Sequence, residues 1–64
     1  MIALAIQRGS YVYVYDEKNR QITYRYGKLV GFTGASFSIQ RDGCLFVYDD
    51  QDRCLYYRNV WNFK

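Results

Sequence analysis

Tyr11-Val12-Tyr13-Val14-Tyr15-Asp16-Glu17-Lys18-Asn19-Arg20-Gln21-Ile22-Thr23-Tyr24-Arg25 is answered 33 residues later by Cys44-Leu45-Phe46-Val47-Tyr48-Asp49-Asp50-Gln51-Asp52-Arg53-Cys54-Leu55-Tyr56-Tyr57-Arg58. Over positions 6–25 and 39–58, nine of twenty residues are identical without a gap, and exchanges such as Tyr13 for Phe46 or Ile22 for Leu55 are mild. A fixed period of this length marks one supersecondary unit written twice. Runs of Tyr, Val and Ile interrupted by Gly, Asn and Asp are β-strands and their turns. The expected fold is all-β: six short antiparallel strands forming two tandem three-stranded meanders, closed as a small barrel or sandwich. The strands are read at 2–8, 11–16, 20–26, 35–41, 44–49 and 53–60. One domain, 1–64, then contains repeats 2–26 and 35–60 joined by 27–34.

The turns carry their own chemistry. Gly9-Ser10 and Asp42-Gly43 are two-residue hairpin signals, the second matching a type I′ turn, whose two central residues need positive φ. In Asp16-Glu17-Lys18-Asn19 and Asp49-Asp50-Gln51-Asp52 the first Asp can accept turn amides, while Asn19 or Asp52 takes the left-handed position. A three-residue loop puts Asp16 opposite Arg20. Val14 then pairs with Ile22 and Val12 with Tyr24 on one face, and Tyr15 with Gln21, Tyr13 with Thr23 and Tyr11 with Arg25 on the other. The second copy obeys the same register, pairing Val47 with Leu55, Leu45 with Tyr57, Tyr48 with Cys54, Phe46 with Tyr56 and Cys44 with Arg58. The two-residue turns bring Leu4, Ile6, Phe37 and Ile39 onto the aromatic face. Middle strands apolar on both faces are unlike a sheet with one wet side.

Tyr15-Asp16-x-x-Asn19-Arg20 and Tyr48-Asp49-x-x-Asp52-Arg53 resemble the tyrosine-aspartate repeat of Rhs-type toxins and teneurins, with Asn19 or Asp52 where that repeat usually has Gly. The resemblance implies β-hairpins of that shape, which in those proteins wrap into large shells. The chain also looks like small bacterial proteins with duplicated Tyr-Asp hairpins, which implies a fold and no activity.

A chain of 64 residues buries only about 60% of its unfolded surface, so supplements to the core matter. Cys44 and Cys54, four pairs apart in this register, lie roughly 13 Å from each other at about 3.3 Å per residue, too far for an internal disulfide. With no His and no Cys-x-x-Cys pair, a metal site or other cofactor is not expected. Association with another chain is the remaining supplement. Met1-Ile2-Ala3-Leu4-Ala5-Ile6 is too short for a signal and nothing approaches a membrane span, so the expectation is a cytoplasmic protein without membrane contact.

Enzyme chemistry is not expected, because Ser10, Ser36 and Ser38 have no base in motif spacing and no phosphate loop precedes a helix. The Asp residues sit in turns for backbone reasons, and the acidic turn at 49–52 lacks the further ligands of a calcium loop. The candidate interaction face is Tyr11, Tyr13, Tyr15 and Arg25 with Phe46, Tyr48, Tyr56 and Arg58. Such a face suits contact with a second copy or another protein. It also suits single-stranded nucleic acid, with Tyr stacking on bases and Arg8, Arg25, Arg41 and Arg58 on phosphates, a reading that a net charge of +3 permits. A third reading is that the face is intramolecular core. Leu29, Val30 and Phe32 of the connector suit a short strand or a plug, and Trp61 and Phe63 either cover the core or dock on a neighbour.

Overall fold

The computed structural model describes residues 1–59. It contains seven strands: β1 (Ile2–Arg8), β2 (Tyr11–Asp16), β3 (Gln21–Tyr26), β4 (Lys28–Phe32), β5 (Ser36–Arg41), β6 (Cys44–Asp49) and β7 (Cys54–Asn59). They form two antiparallel sheets, ordered β1-β2-β3 and β4-β5-β6-β7. The two meanders are present as β1–β3 and β5–β7, but the described residues form seven strands rather than six and no closed barrel. The extra strand is the connector. Gly27, at φ 142°, turns β3 into β4, which then pairs with β5 through Leu29 opposite Ile39 and Phe32 opposite Phe37. A Cβ on Gly27 would meet the Gln40 carbonyl oxygen at 3.1 Å, so only glycine lets the chain cross β5 this closely.

The turn chemistry follows the residues. Asp42 and Gly43 both have positive φ (53° and 76°), as a type I′ turn demands, whereas in the first hairpin Gly9 alone does (59°). Asn19 (62°) and Asp52 (67°) hold the left-handed positions of the other two turns. In each, one carboxylate oxygen binds two turn amides: Asp16 Oδ1 accepts from Lys18 N (2.9 Å) and Arg20 N (2.8 Å), and Asp49 Oδ1 from Gln51 N (2.9 Å) and Arg53 N (2.8 Å).

Beyond these turns the register changes. Tyr15 faces Gln21 and Tyr48 faces Cys54, as expected, but a β-bulge then shifts the pairing in both copies. Tyr13 therefore opposes Tyr24 instead of Thr23, and Tyr11 opposes Tyr26 instead of Arg25. In the second copy Phe46 opposes Tyr57 and Cys44 opposes Asn59. The uninterrupted alternation of Ile22-Thr23-Tyr24-Arg25 gives no sign of the extra residue, which bends the strand and moves the next side chains to the other face.

That bulge exposes an asymmetry between the copies. The core consists of Ile2, Ala5, Val12 and Val14 from the first sheet and Phe37, Ile39 and Tyr48 from the second, with Ile22, Leu29 and Phe46 packed beside them. The first meander thus turns its valine face inward, and the second turns inward the aromatic face that corresponds to the outside of the first. Both faces of each middle strand are apolar, so either can serve as core, and the two copies made opposite choices. Thr23 and Arg25, opposite Val14 and Val12, point inward as well.

The sheets meet along β1 and β4, where a side chain replaces part of a ladder. Gln7 Nε2 donates to the carbonyls of Gly9 (2.9 Å) and Gly27 (3.0 Å), and its Oε1 accepts from Leu29 N (2.7 Å). At the other end of β1, Ile2 N donates to the Gly34 carbonyl at 2.8 Å. With this seam bridged, β3 and β7 are the outer strands of the two sheets, each pairing with one neighbouring strand among the described residues.

Candidate functional site: an interaction surface divided between two faces

The expected face of eight residues is divided by the fold. Tyr11, Tyr13 and Tyr15 lie on the outside of the first sheet. There Tyr24 and Tyr26 of β3 join them: Tyr11 is 5.9 Å from Tyr24 and 5.6 Å from Tyr26, ring centre to ring centre, and Tyr13 stacks on Tyr24 at 5.8 Å. Arg8 stands over the Tyr13 ring at 5.8 Å. Sequence reasoning missed Tyr24 and Tyr26 because the unbulged register placed Tyr24 on the valine face. Their spacing of two along one strand, opposite Tyr13 and Tyr11, is the signal that finds them once the bulge is known.

Arg25 and Tyr48 are elsewhere. Tyr48 is only 4% exposed and stacks on Phe37 at 5.3 Å. Arg25 spans the gap between the sheets, its guanidinium carbon 3.9 Å from the Tyr48 ring centre. Its Nε donates to Asp52 Oδ1 at 2.9 Å, while the Thr23 hydroxyl donates to Asp52 Oδ2 at 3.0 Å. Asp52 sits in the β6–β7 turn, so this cluster fastens the β3 edge to the opposite sheet. Phe46 is half-buried and carries Arg41 at 4.6 Å.

Tyr56 and Arg58 are exposed on β7, the strand furthest from the first sheet. All six residues of β7 are exposed, and Leu55, Tyr56 and Tyr57 stand at 54%, 55% and 67%. Three strands cannot cover four. Tyr57 stacks on Phe46 at 5.8 Å and so continues the inward aromatic row past the limit of the covering sheet. Arg58 opposes Leu45 on the outer face of the second sheet. It is the repeat equivalent of Arg25, yet it has no ion pair or ring contact among the described residues. Trp61 and Phe63 lie outside the described residues.

The acidic turns are electrostatically stabilised. Amide donation from Arg20 holds the Asp16 carboxyl below the usual carboxylate range, although desolvation opposes it, and Lys18 N and the Arg20 side chain add to the effect. Asp49 is lowered in the same way, first by Arg53 N against desolvation, with Gln51 N and the Arg53 side chain contributing. Cys44 and Cys54 are free thiols, Cys54 opposing Tyr48 and Cys44 opposing Asn59 at the far end of the hairpin. A shallow groove of about 390 Å³ lies where Gly27 passes the hairpin tips, lined by Tyr26, Lys28 and Arg41 among others. Among the described residues no helix is long and apolar enough to cross a membrane.

Compared with protein-family models, with curated proteins and with solved structures, the chain matches none.

Proposed function

We propose that this chain is a non-enzymatic β-module that acts by protein–protein contact, with self-association as its principal mode. The observation that carries this reading is β7: a strand at the end of its sheet whose six residues are exposed, whose strand partner among the described residues is β6, and which bears Leu55, Tyr56 and Tyr57. Proteins that remain alone ordinarily keep their sheet edges short, charged or covered. The outer tyrosines of the first meander add rings of the kind enriched in interface cores. The turn pattern shared with tyrosine-aspartate repeats supports a role in which hairpins are laid side by side.

Light scattering behind size exclusion tests the reading. Mass above that of one chain, restored to one chain by Tyr56→Lys, is the expected result. A single-chain mass at all concentrations, with no captured protein partner sensitive to that substitution, would refute it.

A second reading rests on the Tyr11–Tyr13–Tyr24–Tyr26 cluster beside Arg8. Rings flanked by a cation suit single-stranded nucleic acid, and that reading requires tyrosine fluorescence quenching by an oligonucleotide with an affinity that falls steeply with salt.

A further inference from the structure

The two meanders are related by sequence yet joined front to back. The inward valine face of the first, Val12 and Val14, rests against the inward aromatic face of the second, Phe46 and Tyr48. Outside remain the aromatic face of the first and the mixed face of the second, where Leu45 and Val47 lie beside Ser38 and Gln40 of β5, and each is the repeat equivalent of a face already used in the core. Tyr13 and Tyr15 correspond to Phe46 and Tyr48, and Leu45 and Val47 correspond to Val12 and Val14. A front-to-back contact leaves one unused half of itself at each end. In this it differs from a face-to-face contact, which consumes both.

We propose that the outer face of the second meander of one copy packs on the outer face of the first meander of the next, repeating between chains the interface that exists within each. This deepens the self-association reading and rests on it. The polar part of the interface favours the same occupant. Inside the chain, Arg25 lies on Tyr48 and reaches Asp52 in the left-handed turn position. The corresponding Arg58 is exposed on the outer face, without an ion pair or ring contact among the described residues. In the next copy the matching acceptors are Tyr15 and Asn19, and Asn19 (φ 62°) has the backbone geometry of Asp52 (φ 67°). Its side-chain carbonyl replaces a carboxylate, which makes the intermolecular clasp weaker than the internal one and the assembly reversible. Val47 is only 9% exposed, so the offered surface is chiefly Leu45, Tyr56 and Arg58. A heterologous contact of this kind does not end at two copies and produces rings or open chains of copies instead of a fixed isologous dimer.

Sedimentation velocity over a concentration series, with two capped variants, decides it. Wild type is expected to grow past twice the single-chain mass as concentration rises. Tyr15→Lys spoils only the first-meander face and Tyr56→Lys only the second, so each alone should stop growing, with Tyr15→Lys also placing a cation opposite the incoming Arg58. An equimolar mixture retains one good face of each kind and should give a 1:1 complex of twice the single-chain mass. Far-UV circular dichroism matching wild type confirms that each variant folds, and Arg58→Ser serves as a milder second-meander cap. A closed dimer abolished by Tyr56→Lys but untouched by Tyr15→Lys would overturn the head-to-tail stack while leaving self-association through β7 standing. A mass of one chain at every concentration would overturn both.

Discussion

Asp52→Asn removes one negative charge from the clasp between the sheets and leaves the backbone nearly undisturbed, since Asn accepts the left-handed φ of 67° that Asp52 holds. In the native chain the carboxylate takes Arg25 Nε at 2.9 Å and the Thr23 hydroxyl at 3.0 Å. An amide has one oxygen for these two donors, and its NH₂ faces the other. Hydrogen bonds to charged groups contribute about 1.5–3 kcal/mol each, neutral ones about 0.5–1.5. Because the Arg25 and Asp52 side chains remain 28% and 31% exposed, solvent screening places the loss near the low end, about 1.5 kcal/mol. A chain of this size has about 3–10 kcal/mol of stability in all. At about 4–8 °C per kcal/mol, Tm should fall by roughly 6–12 °C. Arg25→Met keeps the aliphatic stem over Tyr48 and removes the charge, so it completes a double-mutant cycle, with an expected coupling of about 1 kcal/mol. Thermal melts and urea titrations followed by circular dichroism measure both quantities. If Asp52→Asn moves Tm by less than about 2 °C, or if the two substitutions add without coupling, the clasp does not hold the sheets together as argued.

Gly27→Ala should destabilise by about 2 kcal/mol or more, since φ is 142° and its Cβ would press on the Gln40 carbonyl; Gly9→Ala, with open space around it, should cost only the left-handed penalty of about 1 kcal/mol. Urea midpoints separate the two. Gln7→Ala should speed hydrogen exchange at the Leu29 amide, whereas Gln40→Ala at the repeat-equivalent exposed site should leave it unchanged; equal effects would mean that Gln7 does not bridge β1 to β4. Asp16 and Asp49 have folded pKa values below their unfolded ones, so they stabilise the fold above the unfolded value of about 3.9. This contribution is lost as pH falls through the lower folded values, because the unfolded chain then binds more protons. Asp16→Asn should therefore flatten the acid limb of the stability profile, measured by urea midpoints from pH 6 downward. Thiol titration should find both cysteines reactive in the unfolded chain without reductant.

Much of the fold was legible because turns are local. Asp42-Gly43, Asn19 and Asp52 each announce a positive φ by residue type, and the pairing next to each turn followed directly. What happens at the very next pair did not follow, since a bulge depends on how the strand fits its sheet and leaves no mark in Ile22-Thr23-Tyr24 or Leu55-Tyr56-Tyr57. The choice of core face was hidden for a related reason. When Val12 and Tyr13 are both apolar enough to bury, alternation loses its power to say which points inward. The inward position of Arg25 was hidden with it, because its acceptor Asp52 is 27 residues away and reads as a turn residue. Gln7 likewise resembles any exposed strand glutamine, indistinguishable from Gln40 until β4 is known to lie alongside. Tyr11, Tyr13 and Tyr15 share one outer face as their alternation implies, Tyr24 and Tyr26 join them there through the bulge, and Arg25 lies on the opposite side of its sheet.

The opposite orientation of the two meanders also governs how this sequence can drift. Val12 is fully enclosed while its counterpart Leu45 is half open, and Tyr48 is enclosed while its counterpart Tyr15 is not. Packing therefore constrains different columns of the repeat in the two halves at these positions. Merging the halves into a single consensus, a common route to a stabilised repeat, would average an enclosed residue with a more open one at positions such as Val12 with Leu45 and Tyr15 with Tyr48. A designer of such a chain would have to treat the copies as two different parts that happen to share an ancestor.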